Sequence, residues 1–122
     1  MKQHTSWIII VALVAVIIGS MIWYSSTPGQ YDALAKCAAE KGVKFFGAFW
    51  CPHCQEQKTA FGNSARYLPY EECSTPDGSG QLQACTDEKI ESYPTWQFPD
   101  GSRKSQVLTP EELSGLTGCP LS

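Results

Sequence analysis

The chain divides where its polar positions stop. Residues 7–24, WIIIVALVAVIIGSMIWY, carry no charge over 18 positions and are apolar on every helical face. At about 1.5 Å rise per residue such a run reaches ~27 Å, close to the ~30 Å hydrocarbon core of a bilayer. Trp7, Trp23 and Tyr24 bracket it, as interfacial aromatics do. The rest of the chain is too short to enclose a helix that lacks a polar face. The run therefore predicts one N-terminal transmembrane helix, with the lipid bilayer as its partner.

Beyond the run the apolar positions change period several times. YDALAKCAAEK (31–41) sets Leu34, Cys37 and Ala38 on one face of a helix that Gly42 ends. VKFFGAF (43–49) is a short β-prone run, read as a buried strand. Pro52 suits a first helical position, where its missing N–H would be unpaired anyway; a helix over 52–66 then turns Phe61 inward. YLPYEEC (67–73) predicts a second strand, STPDGSG (74–80) a loop and QLQACTDEKI (81–90) a short helix. Residues 95–108 predict a hairpin turning at Pro99, Asp100 and Gly101. Thr109 and Glu112 form a capping box for a last helix, with Pro110 in its first position. This order predicts an α/β fold, a mixed sheet with helices on both faces. The predicted organisation is a short terminus (1–6), the anchor (7–24), a linker SSTPGQ (25–30) and one folded domain (31–122).

Charge decides orientation and excludes one class of partner. Lys2 flanks the apolar run on its N-terminal side, and no basic residue lies between Ser25 and Asp32. The positive-inside rule then puts residues 1–6 in the cytoplasm and the domain outside it, in a periplasm or at the cell exterior. A cleaved signal peptide is the other reading of the run, but the run is long for one and SMIWYSSTPG is a poor cleavage site. The domain holds 8 of the 9 basic residues against all 12 acidic ones, with no basic stripe, which argues against nucleic acid. Six cysteines in so small a domain suit an oxidising compartment and so agree with the orientation.

The chemistry concentrates in FFGAFWCPHCQEQ (45–57). Cys51 and Cys54 could hold a metal, form a structural disulfide or exchange electrons. Structural zinc usually takes two close cysteine pairs, and no second CxxC occurs. A c-type haem needs a histidine after the second cysteine, where Gln55 stands. A disulfide across two residues closes too small a loop to constrain the unfolded chain much. Redox chemistry fits best. A strand leads into the motif and a helix starts inside it, so Cys51 meets the positive end of a helix dipole and free N–H groups. A thiolate is favoured there, and the thiolate is the reactive form. Cys54, one turn on, can resolve a mixed disulfide at Cys51. His53 between them can offer charge or a hydrogen bond to the thiolate, favouring the reduced pair and making the disulfide a better oxidant. Pro94 in SYPTW is placed to bring backbone near these sulfurs through a cis bond, or to be an ordinary turn proline.

GAFWCPHC followed by SYPTW resembles the thioredoxin superfamily, with Pro94 at its cis-proline position. The longer set, FFGAFWCPHCQEQK, PYEEC and CTDEKIESYPTW, resembles the thioredoxin-like domain associated with bacterial vitamin K epoxide reductase homologues, over about residues 33–119. The resemblance implies a thioredoxin-like sheet flanked by helices. It also implies electron flow from cysteine-containing substrate proteins through Cys51 (attacking) and Cys54 (resolving) to a quinone-linked membrane reductase, with no cofactor in the domain itself. The chain has one apolar run where a quinone-binding domain would need several, so that reductase would be a separate protein. Trp50, Pro52 and Tyr93 are candidates for a substrate groove. Trp96 is a groove or a core residue, and Glu56 a buried proton carrier or a solvated one.

Four cysteines remain. Cys73 ends a predicted strand and Cys85 lies in the next helix, which predicts a disulfide clipping the 74–80 loop. Cys37 in the first helix and Cys119 past the last predict a second one, with electron relay as the alternative. Two readings of function follow: an extracytoplasmic thiol–disulfide oxidoreductase, acting as an oxidant or as a reductase or isomerase, and a tethered module whose CxxC binds a metal.

Overall fold

The computed structural model describes residues 1–122. The apolar run lies within a helix, α1 (Lys2–Ser26), with no residue buried against the rest of the protein. It is long and apolar enough to cross a membrane, and its composition equally suits a signal sequence. The segment after it is not loose. Arg66 donates from its guanidinium to the carbonyls of Ser25 (2.5 Å) and Thr27 (3.2 Å). These carbonyls belong to the end of α1, where the helix dipole is negative and a cation is favoured. Gly29 follows in a close approach: a Cβ there would lie 2.5 Å from the backbone nitrogen of Ser64. Asp32 accepts from Gly29 N–H and from the Ser64 hydroxyl. Burial opposes the charge on Asp32, but these two donors with Arg66 and Lys36 outweigh it and hold its carboxyl below the usual carboxylate range.

The domain is a mixed α/β sheet flanked by helices. In chain order it comprises α2 (Asp32–Glu40), β1 (Lys44–Gly47), α3 (Pro52–Phe61) and a 3-10 helix (Gly62–Tyr67). Then come β2 (Tyr70–Glu72), α4 (Gln83–Asp87), β3 (Thr95–Gln97), β4 (Arg103–Lys104) and α5 (Pro110–Thr117). The sheet order is β2-β1-β3-β4. β1 runs parallel to β2, with Gly47 opposite Glu72, and antiparallel to β3, with Phe45 opposite Trp96.

Alternation along β1 divides the core in two. Phe45 stacks on Trp96 (4.7 Å) and joins Leu34, Phe61, Leu108 and Leu113 in the main core. Phe46 faces the other way, into a small cluster with Cys73, Cys85 and Ile90. That second face is covered by little more than the short α4, and the Cys73–Cys85 bond pins α4 there. Cys37 and Cys119 are also bonded to each other, joining α2 to the chain just past α5. Trp96 is fully buried and is therefore a core residue.

Element ends differ from the sequence expectation for local reasons. The helix expected over 52–66 ends at Phe61 because Gly62 takes φ 54°, outside helical geometry, and the chain tightens into the 3-10 helix. Tyr67 closes that helix, so β2 begins at Tyr70. The hairpin pairs for only two residues on its second strand. After Lys104 the chain leaves the edge to bring Leu108 into the core. There Gln57, fully buried on α3, donates to Leu108 O (2.7 Å) and accepts from Leu108 N (2.7 Å) and Trp96 Nε1 (3.0 Å). The capping box at Thr109 and Glu112 forms in full.

Gln57 thus satisfies three buried groups that no other side chain reaches. Replacing it with leucine strands all three, each costing roughly 1–3 kcal/mol when buried unpaired. Gln57→Leu should lower unfolding stability by ~3 kcal/mol or more in a urea titration; a loss below ~1 kcal/mol would show that the knot is dispensable.

Candidate active site

β1 ends at Gly47, and α3 starts at Pro52 with Cys51 as its N-cap residue. This junction sets Cys51 at the unpaired N–H end of α3. Both Cys51 and Cys54 are free thiols, and both are buried. The Cys51 thiol donates to the carbonyl of Tyr93 at 3.6 Å. Tyr93 precedes Pro94 through a cis peptide bond, so the structure brings Cys51, Cys54, Tyr93 and Pro94 to one place. The Tyr93 hydroxyl accepts from Gln81 Nε2 (2.6 Å), which ties it to the loop bounded by Cys73 and Cys85.

Cys54 has the more closed environment. Burial pushes its thiol up to about 12; the neighbouring Cys51 adds to the rise, while Ala48 N–H and the Lys58 charge pull it down. Gly47 makes room for this sulfur. A Cβ on Gly47 would meet the Tyr70 ring at 2.8 Å and Cys54 Sγ at 2.9 Å. A glycine inside a strand is a signal of close backbone approach, and it was the one available sequence sign of this contact. Gly47→Ala should cost about 1–3 kcal/mol of stability, the usual range for overpacking. Thermal unfolding checks this, and an unchanged midpoint would mean that Tyr70 or Cys54 moves aside freely.

The outer wall is aromatic. Trp50 is half exposed, donates through Nε1 to Ser74 Oγ (2.9 Å) and meets the Tyr93 ring edge-on at 6.0 Å. Phe49 is likewise half exposed. Pro52, at the first position of α3, is exposed beside them. His53 stands apart. Its side chain is 72% exposed, and Nδ1 lies 3.4 Å from Glu56 Oε2 on the solvent face of α3. No hydrogen bond joins it to either sulfur, and Glu56 is exposed rather than a buried proton carrier.

Behind Cys54 lies a group that strand patterning alone does not reveal. Glu72 accepts from the N–H groups of Phe49 (3.1 Å) and Ser74 (3.0 Å) and from the Tyr70 phenol. Burial first, then the Glu72 bond and charge, push the Tyr70 hydroxyl well above its usual range. Lys58 sets its ammonium 3.7 Å from the Tyr70 ring centre.

Two buried thiols side by side at a helix start, with a backbone carbonyl facing one of them, are equipped for disulfide exchange. Over 103 residues the chain is 44% identical to thiol-disulfide oxidoreductase LTO1 of Arabidopsis thaliana. The chain is similar to a thiol–disulfide oxidoreductase. The match takes in 80% of this chain but 27% of that protein, so the chain spans about a quarter of its relative's length. No protein-family model matches the chain.

Proposed function

We propose that the chain is a membrane-anchored, extracytoplasmic thiol–disulfide oxidoreductase of thioredoxin-like fold that oxidises cysteines of exported proteins. One observation carries the reading: four of the six cysteines are paired with each other, and the two that remain thiols are Cys51 and Cys54 at the start of α3. The similarity to a named oxidoreductase supports it.

In this reading a substrate thiolate attacks Cys51 Sγ of the Cys51–Cys54 disulfide, and Cys54 leaves as a thiolate and takes up a proton. A second substrate thiolate then attacks the substrate sulfur of the mixed disulfide and releases Cys51. Two electrons and two protons pass from the substrate to the cysteine pair. In the reverse direction Cys54 resolves the mixed disulfide. Trp50, Pro52 and Tyr93 form the wall that a substrate segment meets, and Pro94 sets the backbone beside Cys51. The dithiol then delivers its electrons to a quinone-linked membrane reductase like vitamin K epoxide reductase. Helix α1 keeps the domain at the bilayer where that partner resides.

Titration of the Cys51–Cys54 couple against glutathione, with a parallel zinc assay, tests this. An oxidant of this kind should lie near ~−120 mV; a value near ~−270 mV would reverse the direction of the reaction and make the protein a reductase. One equivalent of tightly held zinc without exchange would replace the whole reading with a metal-binding module. His53→Ala should keep exchange but lower the potential if the exposed imidazole supports the thiolate, and an unchanged potential removes that role.

A further inference from the structure

We propose that Glu72 is the positioning residue of the Cys51–Cys54 pair, a role that rests on the exchange reading above. Tyr70 and Glu72 are two apart on β2 and so share one face of the strand. Glu72 uses both oxygens. Oε1 takes the N–H of Phe49, two residues before Cys51, and the N–H of Ser74; Oε2 takes the Tyr70 phenol. Ser74 in turn accepts from the Trp50 indole, so the turn that delivers Cys51 is held at two successive residues. Tyr70 presses its ring into the space beside Gly47 that Cys54 Sγ shares. One carboxylate therefore fixes both the segment that carries the first sulfur and the ring that packs on the second.

Hydrogen bonds to an ionised acceptor are about twice as strong as neutral ones, which suits a clamp at the end of a three-residue strand. Burial of Tyr70 and the Glu72 charge keep the phenol protonated, so it remains a donor throughout the neutral range. What such a clamp controls is the effective concentration of Cys54 at the Cys51 sulfur, because a shift of about 1 Å in reacting groups can cost roughly a hundredfold in rate.

Glutathione disulfide reads this quantity directly. The Cys51 thiolate attacks it, forming a mixed disulfide and releasing one glutathione. The Cys54 thiolate then attacks Cys51 Sγ and releases the second. The pair loses two electrons and two protons, and glutathione disulfide gains them. At equilibrium, the ratio of the Cys51–Cys54 disulfide to the mixed disulfide, multiplied by the glutathione concentration, is the effective concentration of Cys54.

Mass spectrometry of acid-quenched mixtures of the full chain should show this value falling roughly tenfold or more in Glu72→Ala. Glu72→Gln keeps an oxygen for the two N–H groups and an amide N–H that can donate to the phenol oxygen, losing only the charge, so its fall should be smaller. Tyr70→Phe removes only the Tyr70–Glu72 bond and should fall less than Glu72→Ala, with the Tyr70→Phe/Glu72→Ala double variant no worse than Glu72→Ala alone. If Glu72→Ala does not fold, Glu72→Gln and Tyr70→Phe decide. Folded variants with the wild-type effective concentration overturn the proposal while leaving exchange intact. A wild-type protein that forms neither mixed nor internal disulfide overturns the exchange reading, and this proposal falls with it.

Discussion

Cys51→Ser should abolish exchange with a model dithiol substrate, down to the rate of the buffer alone. A hydroxyl at this position is neither a disulfide partner nor a nucleophile at neutral pH, whereas a thiolate is both. The serine replaces sulfur at a site already shaped for a small polar group, between the start of α3 and the Tyr93 carbonyl, so the fold survives. Cys54→Ser should behave differently. It keeps the first attack and loses resolution, so a mixed disulfide at Cys51 accumulates and is caught by mass spectrometry after acid quenching. The contrast matters, since Cys54 is the more deeply protected thiol and burial pushes it up to about 12. Undiminished turnover in Cys51→Ser would move the chemistry to another cysteine and defeat the proposed role of the motif.

Removing the Cys37–Cys119 bridge should produce the largest loss of stability. Its two cysteines are 82 positions apart, and in the chain-entropy model a loop of that length is worth ~4.5 kcal/mol. The bridge of 12 positions at Cys73–Cys85 comes to ~3 kcal/mol on the same basis. Small domains hold only about 5–15 kcal/mol in all, so Cys37→Ala/Cys119→Ala should unfold at much lower urea while its residual folded fraction still exchanges thiols. The native bridge joins α2 to the chain just past α5, and Lys41 also donates to Thr117 O (2.7 Å) across that junction. A double variant with wild-type stability but lost turnover would instead give this pair the electron-relay role.

What could be read from the chain was what local chemistry announces. The capping box at Thr109, the helix start at Pro52 and the apolar stretch of α1 depend on neighbours within a few residues, and each stands in the structure. The hairpin was overextended because turn residues at 99–101 say where a chain reverses, and nothing about how long the strands stay paired. Gln57 and Glu72 were illegible for a related reason. A polar residue in an amphipathic helix or at a strand end reads as solvent-facing, and only partners far along the chain (Trp96 and Leu108 for Gln57, Phe49 for Glu72) give it a structural role. His53 shows the converse: adjacency in sequence suggested contact with sulfur, and one helical step carried the imidazole to Glu56.

The grip of Arg66 on the last carbonyls of α1 bears on how the domain meets other molecules. With α1 in a bilayer, a free tether would let the domain tumble over a hemisphere. A gripped one narrows that range, because Arg66 ties the domain to the last carbonyls of the helix. For the membrane partner proposed above, docking would then forfeit less orientational freedom. Soluble substrates gain nothing from this. In the proposed membrane-anchored state, this restraint favours a reaction partner in the same bilayer.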